Sequence, residues 1–393
     1  MNLNLVISNG YPLPENSGAK IRTMNYVRVL KKIGRVELCY TSSFVQSQMN
    51  SNMFSKEYHL WKKEYPSSVI DRVHFAVWGL PYPINLFQGK VKDELIKKIN
   101  QGSYNIILIR YLNNTGILKE FNDDQKKKVI IDIDDIITET LYRSMFNETN
   151  SVFKKFLRLA NKYLLKRYQA NIINNYQTVF CSDLDKIKYA GEMKTAHTIP
   201  NTYWNESITK YEFDQGYLNK NVLLFVGLLG YGPNVEGLKW FINTIYGDFV
   251  KKFENAKLLV VGSSPSDEII KICGKYRSIE LYANAESLIP YYNAARVVIV
   301  PVLRGGGTRI KILEAGLTNR PVLSTAMGAY GLNLKNGKDF LLFENKAEFM
   351  KGYMDLSNQK YYGQITRNLK EIVKTRFSQN SFETGFNKIL ESQ

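Results

Sequence analysis

The stretch that decides the fold is RGGGTRIKILEAG, Arg304–Gly316. It follows VVIVP (297–301), an unbroken apolar run of the kind found in strands covered on both faces, and it opens a segment with helical periodicity. Gly305, Gly306 and Gly307 let backbone amides approach a ligand without obstruction by Cβ atoms. Thr308 is placed to cap the helix, and Arg309 and Lys311 fall in its first turn, where positive charge opposes the backbone dipole. Two cations at the wrong end of a helix, beside a glycine loop, ask for a polyanion. Glu314 lies about 7.5 Å beyond Arg309 along the helix axis at 1.5 Å per residue. That is near the diphosphate-to-ribose separation of a nucleotide sugar, and a carboxylate can accept from both vicinal ribose hydroxyls. The bland alternative is an i,i+3 pair of Lys311 with Glu314, worth roughly a few tenths of a kcal/mol, over a plain glycine turn.

Outward from this stretch, continuous Val/Ile/Leu runs recur at NLVIS (4–8), YNIILIR (104–110), VIIDI (129–133), TVF (178–180), VLLFVG (222–227), KLLVVG (257–262) and PVLS (321–324), separated by helical patterns. From Gly227 to Ser324 strands and helices alternate, IELYA (279–283) included, which predicts a doubly wound parallel sheet. The polar, aperiodic segment 200–221 reads as a connection. The predicted fold class is therefore α/β with two Rossmann-like, doubly wound parallel-sheet domains facing a cleft. We place the N-terminal, acceptor-side domain at 1–205 and the C-terminal, donor-binding domain at 206–375, with a helix over 376–393 that returns to the first domain.

The 393 residues carry 53 Lys and Arg against 36 Asp and Glu, a net charge of +17 that implies an anionic partner. The excess is mainly N-terminal. Cys39, Cys181 and Cys273 are far apart and lack CxxC spacing, which suits a reducing cytosol. With only three histidines, His59, His74 and His197, none at metal-ligand spacing, no metal site is predicted. The N-terminus reads as a buried strand rather than a signal or membrane-spanning segment, so the expected location is cytoplasmic.

LIPYYNAARVVIVPVLRGGGTRIKILEAGLTNRPVLSTAMGAYGL (288–332) resembles the donor-binding core of glycosyltransferase family 4, retaining enzymes of the GT-B fold. VLLFVGLLGYGPNVEGLKWF and KLLVVGSSP are similar to that family's first two strand–turn–helix units, and NGYPLPENSGAKIR, CSDLD and TIPN to its N-terminal landmarks. The resemblance covers nearly the whole chain. It implies transfer of a sugar from a nucleoside-diphosphate sugar to an acceptor hydroxyl of a glycan or lipid-linked glycan, in cell-surface polysaccharide synthesis, with no metal or other cofactor. Front-face displacement, in which the leaving diphosphate helps deprotonate the acceptor, is the implied mechanism.

Carried over by position, Glu314 corresponds to the second of two glutamates separated by seven residues and holds the ribose. The first falls on Gly306, which removes a side chain that contacts the donor sugar in the family. GLLGYG lacks the usual basic pair, so Arg309 and Lys311 are the expected diphosphate clamp and, with Asp134, the expected catalytic residues. The diphosphate loop is Gly305 to Thr308, joined by Gly18. Tyr282 and Asn284 follow the strand whose end meets the nucleobase; a polar turn with a packed tyrosine is the alternative. In ENSGAKIR, Ser17 and Gly18 precede a helix with Lys20 and Arg22 in its first turn, either a second anion site or plain solvated surface. VIIDIDDIITE places Asp132, Asp134 and Asp135 at a strand end, where relatives carry a His–Asp pair; capping and hydroxyl binding are favoured over metal. Ser17, Lys20, Arg22, Asp132 and Asp135 are thus assigned to the acceptor or sugar side.

The segment 151–169 has Phe153, Phe156, Leu157, Ala160 and Leu164 on one face and Lys154, Arg158, Lys162 and Lys166 on another, and no acidic residue lies between Glu148 and Asp183. It reads as a core-covering helix with a solvated basic face, or as one that meets anionic lipid on the inner face of a membrane. The rival function is a catalytically inactive GT-B partner subunit, suggested by Gly306, the absent basic pair and Asp134. A dinucleotide oxidoreductase is disfavoured because no GxGxxG follows the first strand. No recognised nucleic-acid module is present.

Overall fold

The computed structural model describes residues 2–15, 17–41, 52–62, 80–134, 136–138, 152–203, 220–304 and 309–392, with backbone alone over 152–158. Two compact units emerge: Met1–Asn201 with Phe382–Gln393, and Thr202–Ser381.

In the first unit the described strands are β1 (Leu3–Asn9), β2 (Arg35–Thr41), β3 (Lys56–Lys62), β4 (Phe87–Gln88), β5 (Ile106–Arg110), β6 (Val129–Ile133), β7 (Gln177–Phe180) and β8 (Ala196–Thr198). They form one sheet of order β4-β3-β2-β1-β5-β6-β7-β8, parallel except for β3–β4. Its described helices are α1 (Gly18–Ile33), α2 (Lys90–Asn100), α3 (Asp123–Lys126), α4 (Val152–Asn175) and α5 (Asp183–Ala190), with a 3-10 helix at Leu112–Glu120. Strand order reverses between β1 and β5, so their carboxyl ends frame the crevice that such sheets offer to ligands.

β2 and β3 escaped the sequence reading. Arg35–Thr41 carries Glu37 in the middle of its buried run, which disguises a core strand. Glu37 is tolerated there because Lys98 donates to both its oxygens, at 2.8 and 2.9 Å, and the hydroxyls of Tyr58 and Tyr104 donate at 3.1 and 2.5 Å. All three cysteines are buried and unpaired to each other.

The second unit contains β9 (Val222–Val226), α6 (Gly232–Phe241), a π-helical turn (Ile242–Tyr246), α7 (Gly247–Lys252), β10 (Lys257–Gly262), α8 (Asp267–Cys273), β11 (Ile279–Ala283), α9 (Ile289–Ala294), β12 (Val297–Val300), α10 (Ile310–Leu317), β13 (Val322–Ser324), α11 (Ala326–Ala329), β14 (Leu341–Leu342), α12 (Lys346–Asp355) and α13 (Gln359–Arg376). The sheet order is β11-β10-β9-β12-β13-β14, parallel throughout, and the reversal falls between β9 and β12. Leu223, Phe225, Val260 and Ile299 on the strands and Leu238, Phe241 and Phe349 on the helices share one buried core. Such burial stabilises by about 1.5–3 kcal/mol per large apolar side chain.

α14 (Gln379–Glu391) follows α13 but belongs to the first unit, where Phe382, Phe386 and Ile389 join the core beside α1. The rings of Phe382 and Phe386 meet Tyr26 edge-on at 4.7 and 4.8 Å. In the side-chain-resolved part of α4, the buried face is Leu165, Gln169, Ile172 and Ile173, while Ala160 and Leu164 are only half-buried. The expected stripe is therefore displaced by about one residue, and Phe153, Phe156, Leu157, Lys154 and Arg158 lie outside the described side chains.

Candidate functional site

The β9/β12 switch point of the second unit gathers the polar groups of the decisive stretch. α10 begins at Ile310, so Arg309 occupies the cap position, with φ −90° and ψ 95°, and its side chain makes no cap. Arg309 thus stands one position before the first turn in which it was expected. Gly305, Gly306, Gly307 and Thr308 themselves lie outside the described residues.

Lys311, in the first turn of α10, is 9% exposed. Its Nζ donates to Asn234 Oδ1 at 3.1 Å and stands 4.4 Å from the centre of the Phe225 ring. Asn234, on α6, is oriented by its own donation to Leu228 O at 2.9 Å. Gly227, which follows β9, leaves room for this ammonium: a Cβ there would come within 3.0 Å of Lys311 Nζ and 2.8 Å of Asn234 Nδ2. Burial lowers the Lys311 ammonium to about 7, the nearby Arg309 charge adds to the effect, and Glu314 opposes it.

Glu314 sits one turn along the same helix face, 8% exposed. Tyr292 OH donates to its Oε2 at 2.8 Å, and Tyr203 supplies a second side-chain hydrogen bond. Burial raises the Glu314 carboxyl above its usual range, against the pull of both tyrosines and Lys311. Arg309 donates through Nη2 to Arg304 O at 3.5 Å, and Arg304 is paired with Glu236 on α6. Lys311, Glu314 and Arg309 are thus brought together on one helix start, in a water-poor site where fixed charge acts strongly.

Tyr282 and Asn284 stand elsewhere, at the end of β11, two strands from β9. Tyr282 OH donates to Glu280 Oε2 at 2.6 Å. Asn284 adopts φ 55° and its Oδ1 accepts from Ser264 N at 3.2 Å, so this side chain shapes the turn after β10.

In the first unit the charge anomaly at the start of α1 has a different resolution from the one expected. Arg22 is 1% exposed and faces inward rather than to solvent. It donates to Asp132 Oδ1 through Nη2 at 2.6 Å, to Ile199 O through Nη1 at 2.7 Å and to Asn201 Oδ1 at 3.0 Å. Arg110, the last residue of β5, pairs with Asp132 and reaches Asp134 Oδ2 at 3.2 Å. Tyr26 OH donates to Asp132 Oδ1 at 2.8 Å, and Asn201 Nδ2 to Asp134 Oδ1 at 3.2 Å. Two arginines and two aspartates neutralise each other inside the protein, which is how charges survive burial. Asp132 and Arg22 are therefore core ion-pair partners and not open ligand groups.

Asp134 keeps 9% exposure, at the strand ends. Burial works against its charge, but the Arg110 and Arg22 guanidiniums and the Asn201 amide hold its carboxyl below the usual range. Ser17 is exposed, and Gly18 and Lys20 are half-buried at the helix start. Asp135 lies outside the described residues.

Sequence reasoning missed Asn234, Phe225, Tyr292, Tyr203, Arg110 and Asn201. Arg110 left a signal, a cation closing a buried apolar run, and Asn201 closes the TIPN landmark. The others are ordinary residues that acquire a role through contacts distant in sequence.

Residues 220–359 match the family model described as glycosyl transferases group 1. A protein described as an uncharacterized 44.6 kDa protein in the cps region of Klebsiella pneumoniae is 24% identical over 387 residues, covering 95% of this chain and 94% of that one. Among solved structures, sucrose-phosphate synthase from Thermosynechococcus elongatus superposes with a TM-score of 0.69 at 13% identity, covering 100% of this chain and 99% of its own. Anabaena Alr3699/HepE, in complex with UDP, gives 0.64 at 12% identity with 100% of both chains covered. The chain therefore has the GT-B fold, and its second unit carries a segment that matches glycosyl transferases group 1.

Proposed function

We propose that the protein is a retaining glycosyltransferase that moves a sugar from a nucleoside-diphosphate sugar to a hydroxyl of a glycan or lipid-linked glycan, in surface polysaccharide synthesis. The observation that carries this reading is the pairing of Lys311 and Glu314 on one face of α10, at the β9/β12 switch point of a segment matching glycosyl transferases group 1. Glu314 receives the ribose hydroxyls. Lys311 and Arg309 take the diphosphate and stabilise it as the glycosidic bond breaks, with the amides of Gly305 to Thr308 beside them. Positive charge from the protein fills the place of a metal ion, so transfer persists in EDTA. UDP is the first donor nucleotide to test, because a structural neighbour is solved with it. The cps-region relative supports the polysaccharide setting. Asp134, held by Arg110 and Asn201, orients an acceptor or sugar hydroxyl, with Lys20 and Gly18 at the neighbouring helix start. α4, with six cations and no acid, seats the protein on the inner face of an anionic membrane.

A thermal-shift panel of UDP, GDP and dTDP and their sugars, followed by turnover with lipid-linked acceptors, tests this. The product is expected to keep the donor's anomeric configuration. Glu314→Ala should weaken binding of the preferred diphosphate by about 1–3 kcal/mol; unchanged affinity in a folded variant rejects the ribose assignment. Binding without transfer across a broad acceptor panel would instead favour an inactive partner subunit.

A further inference from the structure

Glu314 is held by two tyrosines from separate elements, and one of them is itself anchored by a buried arginine. Tyr292, on α9, is fully buried and donates to Glu314 Oε2 at 2.8 Å. Tyr203, in the segment that enters the second unit, is 6% exposed and hydrogen-bonds the same carboxylate. Arg320, also fully buried, donates through Nε to Tyr292 O at 2.7 Å. Its Nη1 reaches Thr318 O at 3.2 Å and Asn319 O at 3.3 Å, and its Nη2 reaches Asn293 O at 3.4 Å. These carbonyls lie at the C-terminal ends of α9 and α10, where unsatisfied acceptors and the helix dipoles favour a cation. Arg320 thereby fixes the helix that carries Tyr292 against the helix that carries Glu314.

An apolar ring would fill the space at 292 equally well, so the hydroxyl asks for a separate reason. A carboxylate accepts from two vicinal hydroxyls only while ionised; protonated, it turns one oxygen into a donor. Burial favours the protonated form, and the groups facing Glu314 against that tendency are Tyr292 from α9, Tyr203 from the incoming segment and Lys311 from its own helix.

We propose that Tyr292 and Tyr203 are positioning residues that hold Glu314 ionised and oriented for the ribose diol, with Arg320 fixing Tyr292 in place. This rests on the ribose reading of Glu314.

The test is the affinity of Tyr292→Phe and Tyr203→Phe for the diphosphate that wild type prefers, measured calorimetrically from about pH 5 to 8. Each value is taken as a ratio to wild type, so that titration of the phosphate and of Lys311 cancels. Each lost hydrogen bond should weaken binding roughly 2- to 10-fold, with the ratio smallest near pH 8 and widening toward pH 5, because Glu314 takes up its proton at higher pH in the variants. A ratio that stays constant with pH in the folded variants overturns the proposal. Should Tyr292→Phe fail to fold, Tyr203→Phe decides it by the same criterion. Glu314→Ala in the same series separates the two readings. Weak binding by Glu314→Ala with flat tyrosine ratios leaves the ribose site standing and removes the tyrosines' role. Full affinity of Glu314→Ala, or no saturable binding by wild type, overturns both.

Discussion

Burial works against the charge on Lys311. Its Nζ has a ring and an amide oxygen for company, at 4.4 and 3.1 Å, and burial brings it from 10.5 to about 7. The folded-state value is depressed, so across pH 7 to 10.5 the unfolded chain holds a proton that the folded chain lacks, and this group makes stability rise with pH through that window. Below it, lysine is charged in both states and the desolvation penalty is fully present. Lys311→Met should therefore stabilise the ligand-free protein near neutral pH by about 1–4 kcal/mol, read as a higher urea midpoint with a flatter pH dependence. An unchanged midpoint would show that the ammonium is better solvated than its surroundings indicate. Binding of a diphosphate should restore the charge. Titrations at about pH 8 in buffers of different ionisation enthalpy are expected to show uptake of up to about one proton, fading toward pH 6. No uptake at pH 8 would rule out this picture.

At the scale of elements, the strand before the glycines and the helix after them were legible because each follows from a local pattern, an apolar run and a 3.6-residue period. Lys311 and Glu314 were singled out for the same kind of reason, a cation near the helix start and a carboxylate five residues beyond Arg309. Arg22 was misjudged because a cation in a first turn looks alike whether it faces solvent or a buried aspartate 110 positions away. Asn234 and Tyr292 were invisible because their roles exist only after β9, α9 and α10 have packed. α4 illustrates both outcomes. Its helical period was clear, yet its exposed side carries Leu159 at 50% and Tyr163 at 66% exposure, among Lys162, Lys166 and Arg167. Apolar residues set among cations suit the membrane seat proposed for this helix. Leu159→Ser with Tyr163→Ser should reduce cosedimentation with vesicles of phosphatidylglycerol and phosphatidylethanolamine severalfold, and neutralising the three cations should remove the dependence on anionic lipid. Equal sedimentation of wild type and variants would assign this face to another role.

For the whole molecule, the departure of the chain from the second unit matters as much as its entry. Phe382, Phe386 and Ile389 are at most 1% exposed and sit in the first unit's core beside Tyr26. Truncation after Ser381 should therefore cost the first unit on the order of 5 kcal/mol, at about 1.5–3 kcal/mol for each large side chain, while leaving the second unit's own core complete. Calorimetry of full-length and truncated protein, with and without the preferred diphosphate, checks this. The truncated protein should lose its first-unit transition while the other transition still moves upward with ligand. A uniform loss of both would mean that the helix supports the second unit as well.

The same return of α14 sets an order of events during synthesis. The second unit is one uninterrupted span, Thr202–Ser381, whereas the first is assembled from two separated pieces. As the chain emerges from the ribosome, the earlier-made unit waits for Phe382–Ile389 before its core is closed, with the Tyr26 face of α1 uncovered in the interval. The half of the protein translated second is thus the first able to finish folding, and the wait is where a chaperone would have most to do.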